Sequence, residues 1–324
     1  MADDREGTAV KKQKKFFISN TITLVMVLIA MFIFFSLASR HFLSTYNILS
    51  MVSNLSFMGI VAAVLTMVMI SGEIDFSIGG NIGLTSVVAA ILIEGGVPGI
   101  LVVAICLVMG CAIGVFNGFL VTVVGVNSII ATVGTMSVWR GLAYTFSDGR
   151  SVLAIDPVID FLGRGSVFNI PFPIILFVIV FAISYVVMNL SKWGRKIYSI
   201  GVNPMASFLS GINVKQVKFL AFVFCGLAAA LGGLILTSLS MVGMPQHGQG
   251  LELTIISAIL LGGTALGGGK GQILGTLTGI LILSVLYNGL TMLDVYYYHV
   301  QIAQGAVLIA VVATYEVRQK RLQQ

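Results

Sequence analysis

The chain has 324 residues, 57% of them hydrophobic and 9% charged, with a formal net charge of +6. Ordinary soluble domains carry about 25% charged residues, so a water-soluble fold is excluded and the bilayer is the solvent for most of the chain. The basic excess is then a topology signal rather than a mark of nucleic-acid binding, because Lys and Arg collect on the cytoplasmic side of membrane spans.

Residues 1–15, MADDREGTAVKKQKK, form a polar tail. The apolar run Phe16–Ala38 follows lysines, as a signal peptide would, but it outlasts a typical apolar signal core and many further runs come after it. It reads as an uncleaved first span. A crossing helix needs about 20 apolar residues, so charge-free runs can be counted. They lie between Lys15 and Arg40, Arg40 and Glu73, Asp75 and Glu94, Glu94 and Arg140 (room for two), Arg164 and Lys192, Lys218 and Glu252, Glu252 and Lys270, Lys270 and Asp294, and Asp294 and Glu316. The expectation is an all-α polytopic membrane protein of about ten transmembrane helices. Its transmembrane body occupies 16–315, with a second polar tail at 316–324.

The basic residues test that count. With the N-terminus in the cytoplasm and ten alternating spans, Arg5, Lys11, Lys12, Lys14, Lys15, Lys192, Arg195, Lys196, Lys215, Lys218, Lys270, Arg318, Lys320 and Arg321 fall inside. Arg40, Arg140, Arg150 and Arg164 fall outside. Both termini are therefore expected in the cytoplasm.

Between the second and third runs, Ser71–Asn81 reads SGEIDFSIGGN. Glu73 and Asp75 either face a bundle interior or water path or sit in a cytoplasmic turn; both readings stand. Gly79, Gly80 and Gly83 either interrupt a helix or allow close packing. Gly110, Gly114 and Gly118 repeat at four-residue spacing, which points to a close helix crossing. The external segment 140–169 holds Asp148, Arg150, Asp156, Asp160 and Arg164 in balance. Such a loop suits docking against a protein and equally suits simple solvation.

The largest internal cytoplasmic loop, 191–218, contains a short helix signature. Asn203 can cap a helix opened by Pro204, running Pro204–Ser210 and stopping at Gly211. It is either a contact for another protein or an amphipathic connector. Cys106, Cys111 and Cys225 lie in apolar runs and read as free buried thiols, without disulfide or metal-site spacing. His41, His247 and His299 fall near span ends, where interfacial placement is expected. Tyr296, Tyr297 and Tyr298 suit an aromatic belt before they suit a substrate cage. The stretch Gly250–Gly271, GLELTIISAILLGGTALGGGKG, opens on Glu252 and ends in glycines around Lys270. A phosphate loop is excluded there, because Thr264 occupies the first glycine position and Gly271 follows the lysine where Ser or Thr belongs.

Four stretches in order resemble the membrane-spanning permease subunits of ribose-type ABC sugar importers. They are SGEIDFSIGG (Ser71–Gly80), IIATVGTMSVWRG (Ile129–Gly141), GRKIYSIGVNPMASFLSGINVKQVK (Gly194–Lys218), and Gly250–Gly279 followed by YNGLTMLDV (Tyr287–Val295). The resemblance runs from about Phe42 to Ala313. It implies a second permease copy or paralogue, two ABC ATPase domains on the cytoplasmic side, and a periplasmic or lipid-anchored solute-binding protein outside. It also implies a bacterial cytoplasmic membrane, no cofactor on this chain, and ATP and Mg on the partners. Coupling to the ATPase then falls to Asn203, Pro204, Met205, Ala206, Ser207 and Gly211. Val202 replaces the second glycine of a family Gly-Gly-Asn, and Pro204, Met205, Ala206 and Ser207 follow where the family has Glu or similar residues and then two alanines, which implies a more apolar contact. Glu73 is an acid beyond the family pattern.

The leading reading is a non-enzymatic transport subunit for a neutral polyhydroxylated solute such as a monosaccharide. Glu73, Asp75, Asn81, Asn117, Asn127, Thr132 and Glu252 are candidates for the translocation path. Asp148, Arg150, Asp156 and Arg164 are candidates for binding-protein docking. The alternatives are an ion-coupled secondary carrier using Glu73, Asp75 and Glu252, or an ABC permease for nucleosides or a furanose-type signal molecule.

Overall fold

The computed structural model describes residues 22–296, 298–303, 305–307 and 309. The expected polar tails, 1–15 and 316–324, and the start of the first apolar run lie outside the described residues. The helices are α1 (Ile22–Ala38), α2 (Thr45–Ile70), α3 (Ile78–Glu94), α4 (Gly99–Phe119), α5 (Ser128–Ser147), α6 (Pro157–Arg164), α7 (Phe172–Leu190), α8 (Lys192–Val202), α9 (Pro204–Leu209), α10 (Val214–Ser240), α11 (Leu251–Leu261) and α12 (Ile273–Met292). Two small antiparallel ladders join them, β1 (Val152–Leu153) with β4 (Val242–Gly243) and β2 (Ser166–Val167) with β3 (Ile170–Pro171).

Among the described residues, five helices are long and apolar enough to cross a membrane: α2, α4 with the π turn Leu120–Val124, α7, α10 and α12. The shorter apolar helices are α1, α3 and α11. The run between Glu252 and Lys270, expected as a short span, divides into the 11-residue α11 and a glycine loop. At 1.5 Å per residue α11 is about 16 Å long, half the hydrocarbon thickness of about 30 Å. Glycine is the reason: Gly263, Gly268 and Gly269 all have positive φ, which ends helical geometry. A second difference lies at Arg140, expected at the start of an external loop. It belongs to α5, which continues to Ser147 and ends with Asp148 in the left-handed region.

The core is built around α2 and α10. Ile60, Val61, Leu65 and Met69 of α2 pack with Phe222, Cys225 and Ala229 of α10, and Ile259 and Ile280 close the cluster. Because lipid tails are as apolar as leucine, helix association in a membrane rests on close packing of small residues and on interhelical hydrogen bonds. The α4–α10 crossing shows this. A Cβ at Gly114 would lie 2.5 Å from the Phe222 carbonyl, one at Gly110 would lie 2.7 Å from that of Gly226, and one at Gly118 would meet Phe219. The reverse holds at Gly226, where a Cβ would lie 2.7 Å from the Gly114 nitrogen.

Gly79, Gly80 and Gly83 lie within α3 and serve packing rather than interruption. Gly80 faces the Met136 backbone of α5, and Gly83 faces the carbonyls of Pro245 and His247. Asn47 and Asn288 exchange amide hydrogen bonds of 2.9 and 2.8 Å, fastening α2 to α12. Phe35 of α1 and Phe42 join Met51 and Val285 in a smaller cluster beside that pair.

The crossing yields a direct test. Gly226→Leu should destabilise the purified subunit by about 3 kcal/mol or more, read as a lower unfolding midpoint in detergent. Gly134→Leu, at a position with open space around it, should leave the midpoint almost unchanged.

Candidate functional site

Glu73 and Asp75 lie in a non-helical segment, 73–76, that joins α2 to α3. Irregular backbone in that setting must find partners for each N–H and C=O. Polar side chains of α5 provide them. Ser128 Oγ accepts from Ile74 N at 3.3 Å, and Thr132 Oγ1 accepts from Phe76 N at 3.0 Å. Asp75 is buried and accepts from both the backbone and the hydroxyl of Ser77, at 2.9 and 2.6 Å. Asn117 of α4 donates to that same hydroxyl at 2.6 Å. Asn81, a helical turn further along α3, donates to the Gly226 carbonyl at the α4–α10 crossing and accepts from Thr85.

The seam continues past the expected residues. Ser86 Oγ accepts from Thr237 of α10 at 2.8 Å and from Met244 N at 3.3 Å, and it lies 2.7 Å from His247 Nδ1. The loop 241–250 therefore folds inward against α3, and His247, expected at an interface, lies against α3 and α10. Ser77, Ser86, Ser128 and Thr237 were missed from sequence. The four-residue spacing of Ser77, Asn81 and Thr85 on one helix face is the signal that could have found the first of them.

Glu73, whose role the sequence left without account, forms an ion pair with Lys218 of α10 at 2.6 Å, both side chains mostly buried. Glu252 lies in the first turn of α11 and accepts from Gly250 N at 3.2 Å. It lies over Gly79, where a Cβ would collide with its Oε2. Asn127 is exposed and caps α5 through Ile129 N at 3.0 Å. The structure thus gathers Glu73, Asp75, Asn81, Asn117, Thr132 and Glu252 around the α2–α3 connection and leaves Asn127 at its edge.

Lys218 opens onto the basic end of the molecule, where α8 and α9 lie. Asn203 accepts from Ala206 N at 3.0 Å, Pro204 begins α9, and Gly211 follows it with φ of +81°. The helix ends at Leu209, one residue earlier than expected. Ser207 points inward to Ser199 of α8 at 2.8 Å. The outer surface is apolar: Val202 is 72% exposed, Met205 66%, Phe208 63% and Leu209 76%.

Behind this knob three backbones meet with no side chain between them. Gly269 N donates to Ile70 O at 2.8 Å. A Cβ at Gly201 would collide with Ile70 O and Gly269 N, and one at Gly268 would lie 2.6 Å from Gly72 Cα. Tyr198 of α8 donates to Gly271 O at 3.0 Å.

At the opposite end, α6 is clasped to α10. Asp156 caps α6 through Val158 N at 2.8 Å, and Ser238 Oγ accepts from Gly163 N at 3.0 Å while donating to Asp160 O at 3.1 Å. Arg164 pairs with Asp160 at 2.6 Å. Asp148 and Arg150 are exposed. Among the described residues no group of His, Cys, Asp and Glu has metal-binding geometry.

Such a bundle, sealed by small residues and carrying an apolar knob at one end, is the architecture of a polytopic membrane permease. The sequence matches the family described as branched-chain amino acid transport system / permease component over residues 47–312. It is 37% identical to the ribose import permease protein RbsC of Bacillus subtilis over 86% of this chain and 87% of that one. To RbsC of Haemophilus influenzae it is 36% identical over 92% and 94%. To the D-allose transport system permease protein AlsC of Escherichia coli it is 35% identical over 90% of each. No solved structure matches the chain. The chain belongs to this family of ABC importer permease components.

The ion pair gives a second test. Glu73→Gln and Lys218→Met should each destabilise the subunit by about 2 kcal/mol. The double variant should lose less than the sum, with a coupling of about 1–2 kcal/mol. Additive losses would mean that the two side chains act independently.

Proposed function

We propose that the chain is the membrane-spanning subunit of an ATP-driven importer for a monosaccharide or a similar neutral polyhydroxylated solute. The observation that carries this reading is α9, a six-residue capped helix whose apolar outer face is exposed beside basic residues. An exposed apolar patch of this kind marks a protein interaction site. Its occupant in this reading is the groove of an ABC ATPase subunit, reached by Val202, Met205 and Phe208, with Asn203, Pro204, Ala206, Ser207 and Gly211 fixing the helix shape. ATP and Mg belong to that partner, and this chain carries no catalysis of its own.

The similarity to ribose and D-allose permeases supports a sugar as solute. The neutral amides and hydroxyls of the seam agree with it, since its three acids are bonded within the chain, Glu73 to a lysine, Asp75 to Ser77 and Glu252 to the Gly250 N–H. Two permease subunits, identical or paralogous, enclose the path. In that assembly the seam of Glu73, Asp75, Asn81, Asn117, Thr132 and Glu252 forms its supporting wall, with Asn127 and the exposed face of α5 nearer the solute. In this reading the inward-folded loop 241–250 and α11 together make one crossing, so that ten passes keep both termini and α9 on the cytoplasmic side of a bacterial inner membrane. The clasp end faces outward, where Asp148, Arg150 and the exposed Leu153 and Phe168 suit a solute-binding protein. Asp156 and Arg164 hold the clasp in shape there.

Phe208→Asp tests the reading. The variant should insert and unfold like the parent, yet lose at least tenfold in solute-stimulated ATP hydrolysis and in uptake by proteoliposomes containing the ATPase and binding protein. Uptake that persists without ATPase subunits and collapses with the ion gradient would instead identify a secondary carrier.

A further inference from the structure

A cavity of about 510 Å³ opens beside the glycine loop, between the end of α7, α8 and the first turn of α12. Arg195 and Lys270 both line it, together with Tyr185, Tyr198 and Gln272. Among the described residues no carboxylate lines it, and neither cation belongs to an ion pair. The cavity is therefore an electropositive concavity, suited to an anion by Coulomb attraction from two sides. The start of α12 strengthens this. Gln272 makes no side-chain capping bond, so the helix offers first-turn N–H groups and the positive end of its dipole to the same space.

The rim decides which anion fits. Leu274 is half-exposed on the cavity wall, and Ile183, Val186 and Leu190 are exposed along the neighbouring face of α7. That helix is one of the five suited to crossing a membrane, so its exposed apolar face meets acyl chains. A basic cavity at the end of a lipid-facing helix lies at headgroup depth. A ligand with a phosphate at one end and hydrocarbon at the other satisfies both parts.

We propose that this cavity binds the phosphate of an anionic phospholipid, with Arg195 and Lys270 as its charged contacts and the acyl chains lying over Leu274 and α7. The bound headgroup would brace Gly269–Gly271 against Tyr198. The assignment does not depend on which solute the permease carries.

The test uses the full chain purified in neutral detergent, with phosphatidylglycerol, phosphatidylcholine or inorganic phosphate added. Phosphatidylglycerol should raise the unfolding midpoint by on the order of 5 °C, and phosphatidylcholine should not. Arg195→Gln with Lys270→Gln should abolish the increment, while Lys192→Gln with Lys196→Gln, equal in charge removed, should keep it. Should the first double variant not accumulate, Lys270→Gln alone should lose at least half the increment. Equal effects of the two lipids, or equal losses in the two double variants, would overturn the assignment. Stabilisation by inorganic phosphate alone to the same extent would replace the lipid with a free phosphate.

Discussion

The contact on which this structure depends has no side chain in it. Ile70 at the end of α2, Gly201 at the end of α8 and Gly269 in the loop before α12 approach backbone to backbone, tied by the Gly269–Ile70 hydrogen bond. Any Cβ at Gly201 would occupy the space of the other two chains. The positive φ at Gly268 and Gly269 makes the loop geometry open to glycine and strained for most other residues. Through this node the apolar knob of α9 is joined to the central helix α2 and to the pair α11 and α12. Motion of the knob under an ATPase would move these together.

The rest of the interior follows a related economy. Chain segments that leave helical geometry inside the bundle take their hydrogen bonds from side chains of neighbouring helices. Thr132 and Ser128 serve the 73–76 segment, and Ser86 serves the loop after β4. Residues that look like solute ligands in a sequence are thereby committed first to holding backbone. Irregular backbone within a membrane protein is tolerated only where such partners exist or water reaches it. The polar seam is as much a condition of the fold as a candidate wall for a path.

Several features were legible in the sequence because they rest on local rules. The α9 helix follows from Asn203 and Pro204, and a close crossing on α4 from Gly110 and Gly114, though not that α10 is its partner. What was not legible depended on distant partners. Glu73 had no account until Lys218, 145 positions away, came beside it. The short α11 was mistaken for a span because a charge-free run does not reveal that its second half is glycine loop. Arg140 was assigned to a loop because a charge interrupts an apolar run without interrupting a helix. His247 was assigned to an interface by position alone, whereas its bond to Ser86 requires a loop that turns inward.

Substituting the one glycine between α8 and the other two backbones addresses the account most directly. Gly201→Ala should lower the unfolding midpoint of the subunit, and the folded fraction, assembled with the ATPase and binding protein in proteoliposomes, should still hydrolyse ATP while solute imported per ATP falls at least severalfold. A variant that imports with the parent's stoichiometry would contradict the claim that the knob acts through this contact.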